Sequence, residues 1–187
     1  ENEFPLDPAI TYGKLENGFT YYIRENQTPK DKVSIKLIIK AGSIMEEENQ
    51  LGLAHLLEHM AFNGSKNFPK RKIDEYMSSI GLNLGSHYNA SAGFLETSYV
   101  YEIPTKNDKD VEVALKILTD ISKNLSLEPE AFERERKIVE EEWRGDIGGS
   151  QNYINEFHKV MFKNSRFNER KPIGTLDIIQ NFKYQDV

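Results

Sequence analysis

The pattern of apolar and polar residues divides the chain into strands that come in pairs and helices that come in runs. Residues 19–23 and 33–39 are predicted strands, and the second alternates charged and apolar residues as half-buried strands do. Residues 82–92 and 94–103 are predicted to form an antiparallel hairpin with a turn near Gly93. Apolar residues at helical spacing, together with turn residues at the ends, predict helices over residues 51–62, 69–80, 108–125, 128–145, 151–162 and 176–182.

This order of elements predicts the fold class. Strands in pairs followed by helices in runs are typical of an α+β fold, whereas a doubly wound fold would alternate one strand with one helix. We therefore expect an antiparallel or mixed sheet packed on helices. At 187 residues the chain is long enough for one core, so a single domain over residues 1–187 is predicted.

An unusual group of polar residues lies in the apolar run LGLAHLLEHMAF, where His55 and His59 flank Glu58. At about 100° per residue the three side chains fall within one arc of about 100° on a helix. Two imidazoles one turn apart can hold one divalent metal ion, and a carboxylate on the same arc stands beside a metal-bound water. The alternative is that both histidines are core residues, but three polar groups on a buried helix are costly without a cation. The pattern predicts His55 and His59 as metal ligands and Glu58 as a general base.

The third ligand of such a site is less well defined by the sequence. The chain has no cysteine, and its other histidines, His87 and His158, are isolated. The segment FERERKIVEEEWR offers carboxylates, and on a helix Glu135 shares an apolar stripe with residues that include Ile138. Glu128 and Glu142, seven residues to either side, lie on the same stripe. The stripe makes Glu135 the central candidate for the third ligand, and it makes Glu128 and Glu142 candidates for supporting the ligands. Spacing alone does not decide which of the three binds the metal.

Composition narrows the possible partners. A net charge of −6 disfavours nucleic acid, and the chain has no apolar run of 18 residues that would span a membrane. The absence of cysteine excludes disulfides and thiolate-bound metals within the chain. The first 18 residues lack the basic and apolar regions of an export signal, which indicates that none exists or that it was removed before this sequence begins.

Motifs along nearly the whole chain carry a family resemblance. They are LENGFTYYIREN, LIIKAGSIMEEENQLGLAHLLEHMAFNGSKNFPK, GLNLGSHYNAS, LEPEAFERERKIVEEEWR and KPIGTLDII. With HLLEH as the inverted form of the HExxH zinc motif, the chain resembles the N-terminal domain of the pitrilysin family of zinc metallopeptidases, most closely the large bacterial proteases of the PqqL-like branch. The resemblance implies a LuxS/mitochondrial-processing-peptidase-like metallohydrolase domain within the α+β class.

The resemblance also implies roles for individual residues. One Zn²⁺ ion per domain is expected, with His55, His59 and Glu135 as its ligands and Glu58 as the general base. The third ligand of the family lies roughly 75 residues after the second histidine, and Glu135 is 76 residues after His59. An accessory glutamate seven residues earlier falls on Glu128, which is expected to support catalysis.

Further expectations concern the substrate and the parent protein. A peptide or unfolded protein is expected to add as a strand along an exposed sheet edge at Asn89 and Ala90. The chain is expected to be an N-terminal fragment of a longer, exported and periplasmic bacterial protein, whose remaining domains are needed for full endopeptidase activity. The alternative is a non-catalytic peptide-binding or assembly module with the same fold. A related lyase chemistry is disfavoured because it requires cysteine.

Overall fold

The structure, a computed structural model, describes residues 5–146 and 148–186, without the side chains of residues 150 and 151. The strands are β1 Ile10–Lys14, β2 Thr20–Arg24, β3 Lys32–Ile39, β4 Tyr88–Ala92 and β5 Thr97–Pro104. The helices are α1 Leu53–Met60, α2 Lys72–Ser79, α3 Asp108–Lys123, α4 Pro129–Gly145, α5 Gly149–Met161, α6 Arg166–Glu169 and α7 Leu176–Asn181. Short 3₁₀ turns occupy Ser43–Met45 and Tyr184–Asp186. The α+β prediction is confirmed.

Two antiparallel sheets are formed. β1 and β2 make a two-stranded ribbon, and the other strands make a sheet in the order β3-β5-β4. β5 is central and pairs with β4 in the predicted hairpin, with Ala90 opposite Tyr99. β4 is therefore an edge strand, and it lies against α1, which carries the HLLEH sequence.

Two parts of the sheets differ from the prediction. β1 was not predicted, because its sequence ITYGK lies among turn residues and only two of its five side chains are even partly buried. Of the predicted strand 82–92, only Tyr88–Ala92 is a strand. The preceding residues fold into a turn at Gly85, which has φ +84° and donates its N–H to the carbonyl oxygen of Tyr88 at 2.8 Å.

A compact apolar cluster fixes α4 against α1. Leu56 and Met60 of α1, Val139 of α4 and Ile179 of α7 are fully buried, and Phe132 of α4 is nearly so. Burial of each such side chain contributes about 1.5–3 kcal/mol. This packing decides which side chains of α4 reach the histidines. No helix in the described part of the chain is both long and apolar enough to cross a membrane.

Candidate metal centre

The three polar residues of HLLEH lie together on one side of α1. The rings of His55 and His59 are 4.8 Å apart and nearly perpendicular, and each side chain is 17% exposed. The Glu58 carboxylate lies 4.0 Å from His55 Nε2, and potential ligand atoms of all three residues lie within 4.8 Å of one another. The structure thus brings together the residues that the helical arc predicts.

Glu142 of α4 completes a set of donor atoms. Its Oε2 lies 3.6 Å from His55 Nε2 and 3.4 Å from His59 Nε2. These distances exceed those of ordinary hydrogen bonds. With metal–ligand bonds near 2.0–2.1 Å, however, two ligands in a tetrahedral zinc site are roughly 3.3–3.4 Å apart. Two imidazole nitrogens and one carboxylate oxygen at this spacing fit zinc, in one of the ligand sets that catalytic zinc sites use.

Glu135 lies on the opposite edge of the second imidazole. Its Oε2 is 3.4 Å from Nδ1 of His59, and its Oε1 is 3.6 Å from Nε of Arg134. When the Nδ1 proton points to this carboxylate, the Nε2 lone pair of His59 is free to bind a cation. The side chain of Glu135 is only 11% exposed, so its negative charge acts in a poorly solvated place. Glu135 is therefore placed to orient His59.

Burial and neighbouring charges shift the pKa values of these groups in different directions. Burial lowers the pKa of His55 to about 4, helped by the nearby His59, so that His55 is neutral at pH 7 and free to bind a metal. Burial also acts to lower the pKa of His59, but the hydrogen bond to Glu135 and the charges of Glu142 and Glu58 outweigh it, and the pKa is raised. Burial raises the pKa of Glu58, against the opposing effect of His59.

The group opens into a cavity of about 1380 Å³ that Asn89, Ala90 and Glu128 also line. A second cavity, of about 510 Å³, is lined by His55, Glu142 and Ala92. β4 therefore contributes lining residues to both cavities, and the histidines lie beside it.

The backbone groups of β4 alternate between its partner strand and its open edge. The carbonyl of His87 accepts from Glu102 N–H at 2.7 Å, so residues 87, 89 and 91 form the pairs that hydrogen-bond to β5. The N–H and C=O of Ala90 consequently point to the open edge. The backbone of Asn89 is used in the ladder, which leaves only its exposed side chain for contacts.

Glu128 and the other two histidines lie apart from the ligands described above. Glu128 is exposed at the N-terminal end of α4, and its carboxylate has no hydrogen-bond or ion-pair partner within residues 5–146 and 148–186. His87 Nδ1 accepts from the N–H of Asn83, and His158 packs against phenylalanine rings that include Phe162, so neither of these histidines joins the metal centre.

One neighbour of the centre was not predicted from the sequence. Asn63, just beyond α1, accepts a hydrogen bond from Arg134 through Oδ1 and donates one from Nδ2 to the carbonyl oxygen of His59 at 3.1 Å. Its position in the turn Asn63-Gly64 at the end of the helix was the only available signal, and that signal indicates a helix stop rather than a site.

Comparison with known proteins identifies relatives of the chain. The profile of the family described as "Insulinase (Peptidase family M16)" matches residues 21–172. The "Probable zinc protease PqqL" of Haemophilus influenzae is 36% identical over 186 residues, which are 100% of this chain and 20% of that protein. Its counterpart in Escherichia coli K12 is 34% identical over 94% of this chain and 19% of its own length.

Solved structures of two proteases superpose closely on the chain. The periplasmic protease PqqL from Escherichia coli superposes with a TM-score of 0.94 at 33% identity, over 98% of this chain and 20% of that chain. The ferredoxin protease FusC, in complex with Arabidopsis ferredoxin, superposes with a TM-score of 0.86 at 32% identity, over 95% of this chain and 20% of that chain. The chain thus spans about a fifth of the length of these relatives. Sequence and fold together show that the chain belongs to the insulinase family of zinc metallopeptidases, peptidase family M16.

Proposed function

We propose that this domain carries the metal centre of a zinc endopeptidase, with His55, His59 and Glu142 as the zinc ligands. The observation that carries the proposal is that Glu142 Oε2 faces both Nε2 atoms, at 3.6 and 3.4 Å. Glu135 faces Nδ1 of His59 and so positions that ring. This assignment exchanges the two roles that the sequence analysis gave to Glu135 and Glu142, and it keeps the predicted histidines.

Glu58 is proposed as the general base. When bound, zinc lowers the pKa of its water toward about 7 and polarises the carbonyl of the scissile bond. Glu58 accepts the proton of the attacking water and passes it to the nitrogen of the leaving amine. A pKa raised by burial suits this role, because the carboxyl must hold the proton between the two steps.

The open edge of β4 is proposed to bind an extended segment of the substrate as an additional strand. The N–H and C=O of Ala90 are directed to that edge, next to the cavity that contains the histidines. Because backbone groups recognise any sequence, this interaction favours extended or unfolded polypeptides as a class. The relative FusC is a ferredoxin protease seen with its protein partner, which is consistent with a protein substrate here.

The larger protein is proposed to complete the site. The relatives are about five times the length of this chain, and the PqqL structure is described as that of a periplasmic protease. We infer the same compartment for this protein, and we infer that further domains supply an oxyanion donor and the rest of the substrate chamber. Glu128 has no partner within the described residues, and its supporting role stays a prediction.

The test combines metal content with the Glu58→Gln variant of the full-length protein. The wild type should bind one zinc ion per catalytic domain and cleave an unfolded polypeptide. Glu58→Gln should bind zinc equally well and lose at least about a hundredfold in kcat, in keeping with the contribution of general bases. An active Glu58→Gln protein would refute the assigned base. Peptide binding without cleavage by the zinc-loaded wild type would instead support the non-catalytic alternative.

A further inference from the structure

A buried carboxylate lies at the start of the metal-binding helix. The side chain of Glu46 accepts from the N–H of Gly52 through Oε2 and from the N–H of Ala54 through Oε1, both at 2.9 Å. Glu46 is only 6% exposed. The first N–H groups of any helix lack partners within the helix, and the residue preceding α1, Gly52, has no side chain to offer. Glu46, six residues earlier in the chain, fills this role.

Glu46 is itself held by a second segment of the chain. Its carbonyl oxygen accepts from Nε of Arg170 at 2.8 Å and from Nη2 of Arg166 at 2.7 Å. Arg170 is 4% exposed and also pairs with Glu48, and its carbonyl oxygen accepts from the hydroxyl of Ser43. The loop that carries Glu46 is thus fixed over its length by residues more than 100 positions away.

Residues 173 and 174, which follow Arg170 in the chain, lie very close to the two residues that precede α1. A Cβ placed on Gly174 would lie 2.3 Å from the carbonyl oxygen of Leu51, so only glycine fits there. Gly52, with φ +98°, would bring a Cβ to 3.1 Å from the carbonyl oxygen of Ile173. The start of α1 is therefore held between the Glu46 carboxylate and the backbone of residues 173–174.

This arrangement matters for His55 more than for His59. His55 is the third residue of α1, directly after Ala54, whose N–H Glu46 binds. Nδ1 of His55 is buried and has no hydrogen-bond partner among the described residues, whereas Nδ1 of His59 faces Glu135. Among the described residues no hydrogen bond reaches the Nδ1 side of the His55 ring, so its direction depends on where the first turn of the helix lies. An eight-residue helix cannot fix that turn by itself.

We propose that Glu46 is a positioning residue of the metal centre, which sets the direction of His55 by binding the first turn of α1. This inference rests on the proposed zinc site. Within the described residues the Glu46 carboxylate makes no hydrogen bond or ion pair with the three proposed ligands, and its effect is transmitted through the Ala54 N–H and the backbone. If Glu46 served only to stabilise the fold, its replacement would lower the free energy of unfolding. The geometry of the metal-free site, and hence the zinc affinity, would then stay unchanged.

The test uses Glu46→Gln and Glu46→Asp in the full-length protein. Glutamine keeps the shape but replaces one acceptor oxygen with an amide that cannot accept, and aspartate keeps the charge but is one methylene too short. Asp110→Asn is the matched control, because Asp110 is also a buried carboxylate, accepts from Tyr76 at 2.7 Å, and lies on α3 away from α1. For each protein we would measure unfolding without metal, zinc affinity by chelator competition, and the absorption spectrum of the Co²⁺ form.

The expected result is a loss of zinc affinity of about tenfold or more in Glu46→Gln, comparable to removal of other groups that orient metal ligands. Its Co²⁺ spectrum should change, and Glu46→Asp should fall between it and the wild type. Asp110→Asn should lose stability with no change in zinc affinity or spectrum. Wild-type zinc affinity in a folded Glu46→Gln protein would overturn the inference. If Glu46→Gln does not fold, wild-type zinc affinity and spectrum in Glu46→Asp would overturn it equally. A wild type that binds no zinc would instead refute the proposed function.

Discussion

The roles of Glu142 and Glu135 can be separated by replacing each with glutamine. Glutamine has nearly the same shape as glutamate but no charge, so each variant removes one carboxylate and little else. Both residues lie on α4, seven positions apart, and their Oε2 atoms are each 3.4 Å from a nitrogen of His59. The difference between them is that Glu142 faces Nε2, where it also meets His55, and Glu135 faces Nδ1.

The expected loss of zinc affinity in each variant follows from these positions. Structural zinc sites in zinc-finger peptides bind the ion with about 10–16 kcal/mol, and about 12 kcal/mol sets the scale for a site with three protein ligands. If each of three ligands contributes equally, loss of the Glu142 carboxylate costs about 4 kcal/mol, or about a thousandfold in affinity. Loss of the Glu135 carboxylate removes only the partner that orients His59, which costs about tenfold to a hundredfold. Glu142→Gln should therefore bind zinc at least about tenfold more weakly than Glu135→Gln.

The assay is competition for zinc with a chelator of known affinity, near neutral pH, on folded full-length protein. Glu141→Gln is the control, because Glu141 is on the same helix, is exposed, and pairs with Arg144 alone among the described residues. It should bind zinc as the wild type does. Unfolding of each metal-free variant shows whether the helix is intact. A larger loss of zinc affinity in Glu135→Gln than in Glu142→Gln would refute the reasoning and restore Glu135 as the third ligand.

Two other predictions concern substrate binding and stability. Ala90→Pro should fold, because proline is tolerated where an N–H faces away from the ladder. It should weaken peptide binding about three- to tenfold, which is the contribution of one hydrogen bond, in a measurement of KM or of affinity. Asn89→Ala should bind peptide nearly normally, and the opposite order would refute the β4 register. Burial acts to raise the pKa of Asp120, but hydrogen bonds from groups that include Ser65 and Asn67 outweigh it and lower the pKa. The resulting stability is present above the unfolded pKa of about 3.9 and is lost as pH falls through the folded pKa. Asp120→Asn should thus cost about 2 kcal/mol at pH 7 in denaturant unfolding, and a difference that persisted undiminished at the lowest pH would contradict this account.

Several features were predictable because they depend on neighbours close in sequence. The arc of His55, Glu58 and His59 follows from helical geometry alone, and these side chains do meet in the structure. Helix boundaries were less predictable. The helix predicted from residue 69 begins at Lys72, because Lys70 adopts φ +57°, which a right-handed helix excludes.

The face of α4 shows where helical periodicity is insufficient. Ile138 and Val139 were both placed on the core-facing stripe, but Ile138 is 42% exposed, whereas Val139 is fully buried against α1 and α7. One position corresponds to about 100° on a helix, and a stretch so rich in charged residues offers too few apolar positions to define the stripe more narrowly. The buried face was therefore predicted only approximately.

The sequence by itself determined the α+β class, the family, the metal-binding helix and the two carboxylates, Glu135 and Glu142, that share one side of α4. The helix and the shared side of α4 are local patterns that depend on residues within a few turns of one another, and the class and the family follow from the order of elements and motifs along the chain. Only the tertiary structure decided which carboxylate faces the Nε2 atoms of both histidines. Residues seven apart lie on the same face of a helix, so periodicity cannot distinguish Glu135 from Glu142. That choice depends on where α4 crosses α1, which the apolar contacts of Phe132, Val139 and Ile179 fix across 70 or more residues of intervening chain.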